Sequence, residues 1–263
     1  MSILVVQVLP QGMIFGADRN ITVTQCISTA SGQTTIIIQG QGQRPKVLKW
    51  PNEKALLGYV GVGQIGGLPT DEWLYKFIGQ HLDPATFQDL AEDLRAEIER
   101  QRRTDEGDNA AEPLVVHLGG FEERDGYQVP VVWHIRNASA SAEYLDAKKE
   151  FQVSEAFWEY FPSIRPAQIR SKLDKLAKNF SPFWFHQGFD LGTFNTVESF
   201  LKGAFKLLCE EYPDHKLPQS LVDWERHLKM SILTYGAYFQ AFKGPGEQFV
   251  GGGVDTVRLD WPE

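Results

Sequence analysis

The sequence predicts an α+β fold, a four-layer αββα sandwich of two antiparallel sheets between helix layers, and three observations lead to it. Strand-like runs fill the first 60 residues and recur from Leu114 to Val153; each cluster is followed by helical segments, and Val254 to Leu259 adds a last strand. The joints between strands are short, as at Pro10-Gln11-Gly12, which suits hairpins and not parallel crossovers. Strands and helices do not alternate one for one, which disfavours a doubly wound parallel sheet. A chain of 263 residues with 42% hydrophobic content can bury one large core, so a single domain over residues 1–263 is expected, with insertions near 23–45 and 140–185.

The elements follow in order. Residues 2–9 and 13–20 are apolar runs flanking the first turn. Val23 to Pro45 is rich in Thr, Gln and Gly and holds the strand-like Thr34 to Ile38; Lys46 to Trp50 and Ala55 to Val60 form the next hairpin. The period then changes. Thr70 stands as N-cap ahead of Trp73, Leu74, Phe77 and Ile78 on one helical face, and Phe87, Leu90, Ala91, Leu94 and Ile98 repeat the three-and-four spacing after Asp83-Pro84. Residues 101–112 read as a solvated loop. Leu114 to Leu118 and Val129 to Ile135 flank a turn at Glu122 to Gly126, and Tyr144 to Val153 reads as a further strand. Pro166 to Phe242 reads as helical throughout, with Val197, Phe200, Leu201, Ala204 and Leu208 on one stripe. Leu221, Trp224, Leu228, Ile232, Tyr235 and Phe239 make another.

Composition excludes several classes of function. A net charge of −8 argues against nonspecific affinity for nucleic acid or anionic lipid. Cys26 and Cys209 have no metal-like spacing, the six histidines are scattered, and no P-loop lysine accompanies Gly58, Gly61, Gly63, Gly66 and Gly67, so neither metal nor cofactor is expected. The apolar start has no basic flank, breaks at Gln7 and Pro10 and lacks a small-residue cleavage site, and no window reaches the length of a membrane span; a cytoplasmic protein is expected.

Ser2 at the tip of the first strand, "QGMIFGADRNIT", "KVLKW", "ALLGYVGVG" and the terminal "VGGGVDTVRLD" follow one another along the chain. In that order they resemble the proteasome-type β subunits of the N-terminal-nucleophile hydrolases, and "EPLVVHLGGFEERDGYQVPVVWHI" resembles that family's central hairpin. The resemblance implies the N-terminal-nucleophile hydrolase fold and, once Met1 is trimmed, acyl transfer from a peptide amide to Ser2. It implies that the free amine of Ser2 acts as base, since a free α-amino group has a pKa of roughly 7.7–8.0. Lys46 would then favour the deprotonated forms of hydroxyl and amine, Asp18 would hold Lys46, and the backbone of Gly61 or a neighbour in Gly58 to Gly61 would receive the oxyanion. An apolar substrate pocket is expected around Ile21, Leu48 and Tyr59.

The chain also departs from the family. Ser replaces Thr as nucleophile, about a dozen residues are inserted before Lys46, and Glu247 to Gly252 reads EQFVGG where the family has an Asp and a Ser. Phe185-His186-Gln187-Gly188 stands where the family has Gly and Ser, so Glu247 and Gln187 are supporting candidates. Plainer roles stay open for the same residues: Asp18 as a turn residue, Lys46 as a solvated lysine at a strand end, the glycines as loop formers. The partners implied are a peptide or unfolded-protein substrate and copies of the chain in a ring or spiral, with an ATPase partner left unspecified. The alternatives are a catalytically silent structural or binding subunit and an N-terminal-serine amidase acting on a small amide.

Overall fold

The structure, a computed structural model, describes residues 2–20, 23–29, 32–38, 42–104, 113–138, 147–148, 150–188, 191–212, 214–242 and 251–263. The main strands are β1 (Ile3–Leu9), β2 (Gly12–Asp18), β3 (Val23–Thr29), β4 (Gly32–Ile38), β5 (Val47–Lys49) and β6 (Ala55–Gly61). The short β7 (Gln64–Ile65) and β8 (Leu68–Pro69) lead into α1 (Thr70–Gln80) and α2 (Phe87–Thr104). Then come β9 (Leu114–Arg124), β10 (Tyr127–Arg136), β11 (Gln152–Glu155), α3 (Pro166–Lys178), β12 (Phe183–Gly188), α4 (Leu191–Glu211), α5 (Leu221–Phe242) and β13 (Val254–Asp260).

Two antiparallel sheets carry the fold. The first has the order β12-β1-β2-β13 and the second β11-β10-β9-β6-β5; β3 with β4 and β7 with β8 pair separately. All seven residues of β1 are buried, as are all seven of β2, because both strands are covered on both faces. Three apolar clusters result. Leu4, Val6, Phe15 and Ala17 of the first sheet meet Val47, Val60, Val115 and Val132 of the second, with Ile169 and Leu173 of α3 beside them. Leu57, Leu118 and Ile135, on the other face of the second sheet, pack on Leu74, Phe77, Leu94 and Ile98 of α1 and α2. Ile3, Val5 and Ile14, on the other face of the first, pack on Phe194, Trp224, Leu228 and Tyr235 of α4 and α5. Gly58 lets the sheets approach: a Cβ there would lie 2.6 Å from the Leu4 side chain.

The helix starts follow local chemistry. Thr86 and Asp89 bond reciprocally ahead of α2, Ser220 and Asp223 do the same ahead of α5, and Pro166 opens α3.

Five expectations are corrected. The helical reading of 166–242 misses β12, an aromatic-rich strand that pairs with β1 from Ile3 opposite Gly188 to Val8 opposite Phe183. Thr70 does not cap α1; Pro69 holds that place, and the Thr70 hydroxyl donates to the Val62 carbonyl at 2.7 Å. The third strand expected at Tyr144–Val153 is seen at Gln152–Glu155, and residues 144–146 lie outside the described residues. On α4, Phe200 and Leu208 face solvent, and the buried positions are Phe194 and Glu198. The reading of 101–112 as loop also begins too early, since α2 runs to Thr104 and 105–112 lie outside the described residues.

Candidate active site

The hairpin of β1 and β2 places Ser2 and Asp18 together. Leu4 pairs with Ala17, so the next step of the ladder sets Asp18 beside Ile3, whose N–H donates to Asp18 Oδ1 at 2.9 Å. The N–H groups of Asn20 at 3.3 Å and Gly251 at 3.4 Å donate to Oδ2. Asp18 is fully buried, so it is no ordinary turn residue.

Lys46 enters from the other sheet, at the head of β5. Its Nζ donates to Ser2 Oγ at 2.5 Å, to Asp18 Oδ1 at 3.3 Å, and to the carbonyl of Asn20. Only 4% of Lys46 is exposed, which removes the reading of a solvated strand-end lysine. Burial pushes the Lys46 amine below the ordinary lysine value, with the Asp18 charge opposing that shift. Burial likewise pushes the Asp18 carboxyl up, against the opposing effects of Lys46 and the N–H donors of Ile3 and Gly251. A lysine so placed can exchange a proton with the hydroxyl it touches.

The reach of Lys46 depends on residues that sequence reasoning missed. Arg44 donates through Nε and Nη2 to the Asp71 carboxylate at 2.7 and 3.0 Å and also to Glu72, in the first turn of α1. The Arg44 N–H donates to the Arg19 carbonyl and the Arg19 N–H to the Gly253 carbonyl, both at 3.1 Å. The Arg19 guanidinium pairs with Asp255 at 2.9 Å. These bonds tie the segment before β5 to β2, β13 and α1. The Asp71-Glu72 pair at a helix start was the one visible signal, but its partner lies 27 positions away and only the fold brings it near.

The remaining candidates are more dispersed. Gln187 is buried on β12 opposite Leu4, two positions along the face from Ser2. Gly188 pairs with Ile3, has φ 146°, and a Cβ there would lie 2.2 Å from the Ser2 carbonyl oxygen, so a side chain at 188 would displace Ser2. Gly61 is exposed at the end of β6, the strand whose Tyr59 N–H donates to the Lys46 carbonyl at 2.9 Å. Leu48 and Tyr59 do not line the cleft between the sheets. They pack with Trp73 and Leu74 under α1, because strand alternation turns Val47 and Val60 to the cleft instead. Glu247, Ile21 and Met1 lie outside the described residues.

Among the described residues no group of three or more His, Cys, Asp or Glu side chains is arranged to hold a metal ion, and no helix is long and apolar enough to cross a membrane. No protein-family model matches the chain, and no curated protein matches it. Among solved structures, the chain is similar to Anbu (ancestral beta-subunit) from Yersinia bercovieri at 12% identity and a TM-score of 0.46, over 98% of this chain and 81% of that one. It is also similar to an Anbu mutant from Hyphomicrobium sp. strain MC1 at 13% identity and a TM-score of 0.47, over 100% of this chain and 84% of that one.

Proposed function

We propose that the chain is an N-terminal-nucleophile hydrolase of the proteasome β type, with Ser2 cleaving peptide amides after Met1 is removed. The observation that carries this reading is the buried contact of Lys46 Nζ with Ser2 Oγ at 2.5 Å, backed by Asp18. Ser2 Oγ attacks the amide carbonyl as its proton passes to a neutral amine, either the freed α-amine or Lys46 lowered by burial. The oxyanion is received by backbone N–H at the end of β6, near Gly61. Collapse returns the proton to the leaving amine, and water then hydrolyses the ester on Ser2. Gln187 supports the nucleophile from the neighbouring strand.

Three apolar clusters, one between the sheets and one under each helix pair, support the αββα layering and a single domain. Assembly into a ring or spiral in the cytoplasm belongs to the same reading. Its support is the exposed apolar patch formed by Phe200, Leu207 and Leu208 of α4 and by Tyr212 just after it.

The test has two steps. Intact mass of the purified protein is expected to lack Met1, and short fluorogenic peptides are expected to be turned over by the wild type but not by Ser2→Ala. A retained Met1, or turnover that survives Ser2→Ala, overturns the assignment.

A further inference from the structure

We infer that Arg136 anchors a carboxylate-binding subsite at the mouth of the cleft between the sheets, so that the favoured substrate carries an acidic group close to the amide attacked by Ser2. The inference rests on the hydrolase reading for its substrate, and on register and charge for its place.

The level of Arg136 follows from the strand pairing. Along β10, Val132 lies in the cluster between the sheets, so alternation turns His134 and Arg136 to the same side. The His134 ring confirms this, lying edge-on to Phe185 of β12 at 5.2 Å. One row of the second sheet runs Gly58, His117, His134, and a Cβ on Gly58 would touch Leu4. The row before it runs Leu56, Gly119, Val132, and a Cβ on Gly119 would touch Met13 and Phe15, which pair with Val8 and Val6. The rows therefore advance from Val8 toward Leu4, and the next, Val60, Val115, Arg136, lies one row further toward the Ser2 end of the cleft. Below Arg136, β12 continues from Phe185 to Gln187, next to the strand that Ser2 begins.

The charge at that position has no counter-ion among the described residues. Arg136 is half-buried and its guanidinium makes no ion pair or hydrogen bond with any described residue, whereas Lys46 is neutralised by Asp18. Among the described residues two histidines sense its charge: burial and then Arg136 hold His134 below the ordinary imidazole value, and burial, His134 and then Arg136 hold His117 below it. Glu155 on the adjacent strand is engaged by the N–H groups of Val132, Phe157 and Trp158. A half-buried guanidinium facing a cleft, with no counter-ion among the described residues, is a fixed fork of donors, matched to a carboxylate.

Binding is measured first, without catalysis. In calorimetry, Ser2→Ala protein is expected to bind N-acetylglutamate at least about 10-fold more tightly than N-acetylglutamine, the worth of a charge-assisted hydrogen bond. Arg136→Gln should abolish the difference and Arg136→Lys should keep part of it. In kinetics, peptides matched except for Glu, Gln or Lys within two residues of the scissile amide should rank Glu first, mainly through KM, with Arg136→Glu moving the preference to Lys. Equal binding of acid and amide by protein with Arg136 intact, or a Glu preference that survives Arg136→Gln, overturns the subsite. Arg136-dependent binding of the acid with no turnover of any peptide keeps the subsite and overturns the hydrolase reading.

Discussion

At the scale of the residue, the candidate site is governed by the cost of burying Lys46. An ammonium taken out of water is expensive unless it is paired, and here the pairing is shared among Asp18, the Asn20 carbonyl and the Ser2 hydroxyl. The same burial that costs stability lowers the lysine toward the range in which it can trade protons. Arg44 touches none of the reacting atoms, yet its bonds to Asp71 and Glu72 fix the backbone from which Lys46 extends. Arg44→Ala is therefore expected to lower kcat roughly 10- to 100-fold through misplacement, leaving KM nearly unchanged. Lys46→Met is expected to cost roughly 100- to 10,000-fold, as for loss of a proton-transfer group. Steady-state kinetics on one peptide separates the two effects, and an unchanged kcat in Arg44→Ala would show that the clamp is dispensable.

At the scale of the element, the tip of β1 is held on both sides, by β12 through Gly188 and by β2 through Asp18. This makes the position of Ser2 a property of the whole first sheet, a more precise support than a loop. The distance between the sheets is set by small residues facing large ones, with Gly58 over Leu4 and Gly119 over Met13 and Phe15. Gly58→Ala inserts a methyl where a contact of 2.6 Å leaves no room, and a destabilisation of about 1–3 kcal/mol is expected from overpacking. Urea unfolding reads this as a lower midpoint at constant slope, and an unshifted midpoint would mean that the sheets can separate at no cost. The helical stripes were legible for α2 and α5: Leu90, Ala91, Leu94 and Ile98 of the one and Leu221, Trp224, Leu228, Ile232 and Tyr235 of the other are buried. For α4 the same rule fails at Phe200 and Leu208, because one face of that helix is left without a partner in a single chain.

At the scale of the whole molecule, the core between the sheets contains stacked imidazoles, His117 and His134, with ring centroids 4.1 Å apart. Burial holds His117 well below the ordinary value of 6.5 and His134 down to about 4. Between pH 6.5 and 4 the unfolded chain therefore binds protons that the folded chain does not, and stability falls as the pH falls through this window. For His134 alone the loss comes to about 3 kcal/mol, taking 1.36 kcal/mol per pH unit between the unfolded and folded values. Thermal melts from pH 7 to 4 should show this decline, and His134→Phe, which keeps the ring contact with Phe185, should flatten it. A slope unchanged by that substitution would place the acid sensitivity elsewhere, His227 on α5 being the next group, since it too is held at about 4 by burial.

By itself the sequence determined the hairpins, the long amphipathic helices and the nearness of Ser2 to Asp18, because these follow from local periodicity and from one short turn. The resemblance to proteasome-type β subunits singled out Lys46, Gln187 and Gly61, though not their distances. Only the tertiary structure decided that 183–188 is a strand, since Phe183-Trp184-Phe185-His186, though bracketed by Ser181-Pro182 and Gly188, has no alternation to set it apart from a buried helix. The same holds for Arg44 and for the turning of Leu48 and Tyr59 away from the cleft, and for Arg136 sharing a row with Val115 and Val60. Each of these depends on which strands lie across from one another, and that is settled by long-range packing of two sheets, which no window along the chain contains.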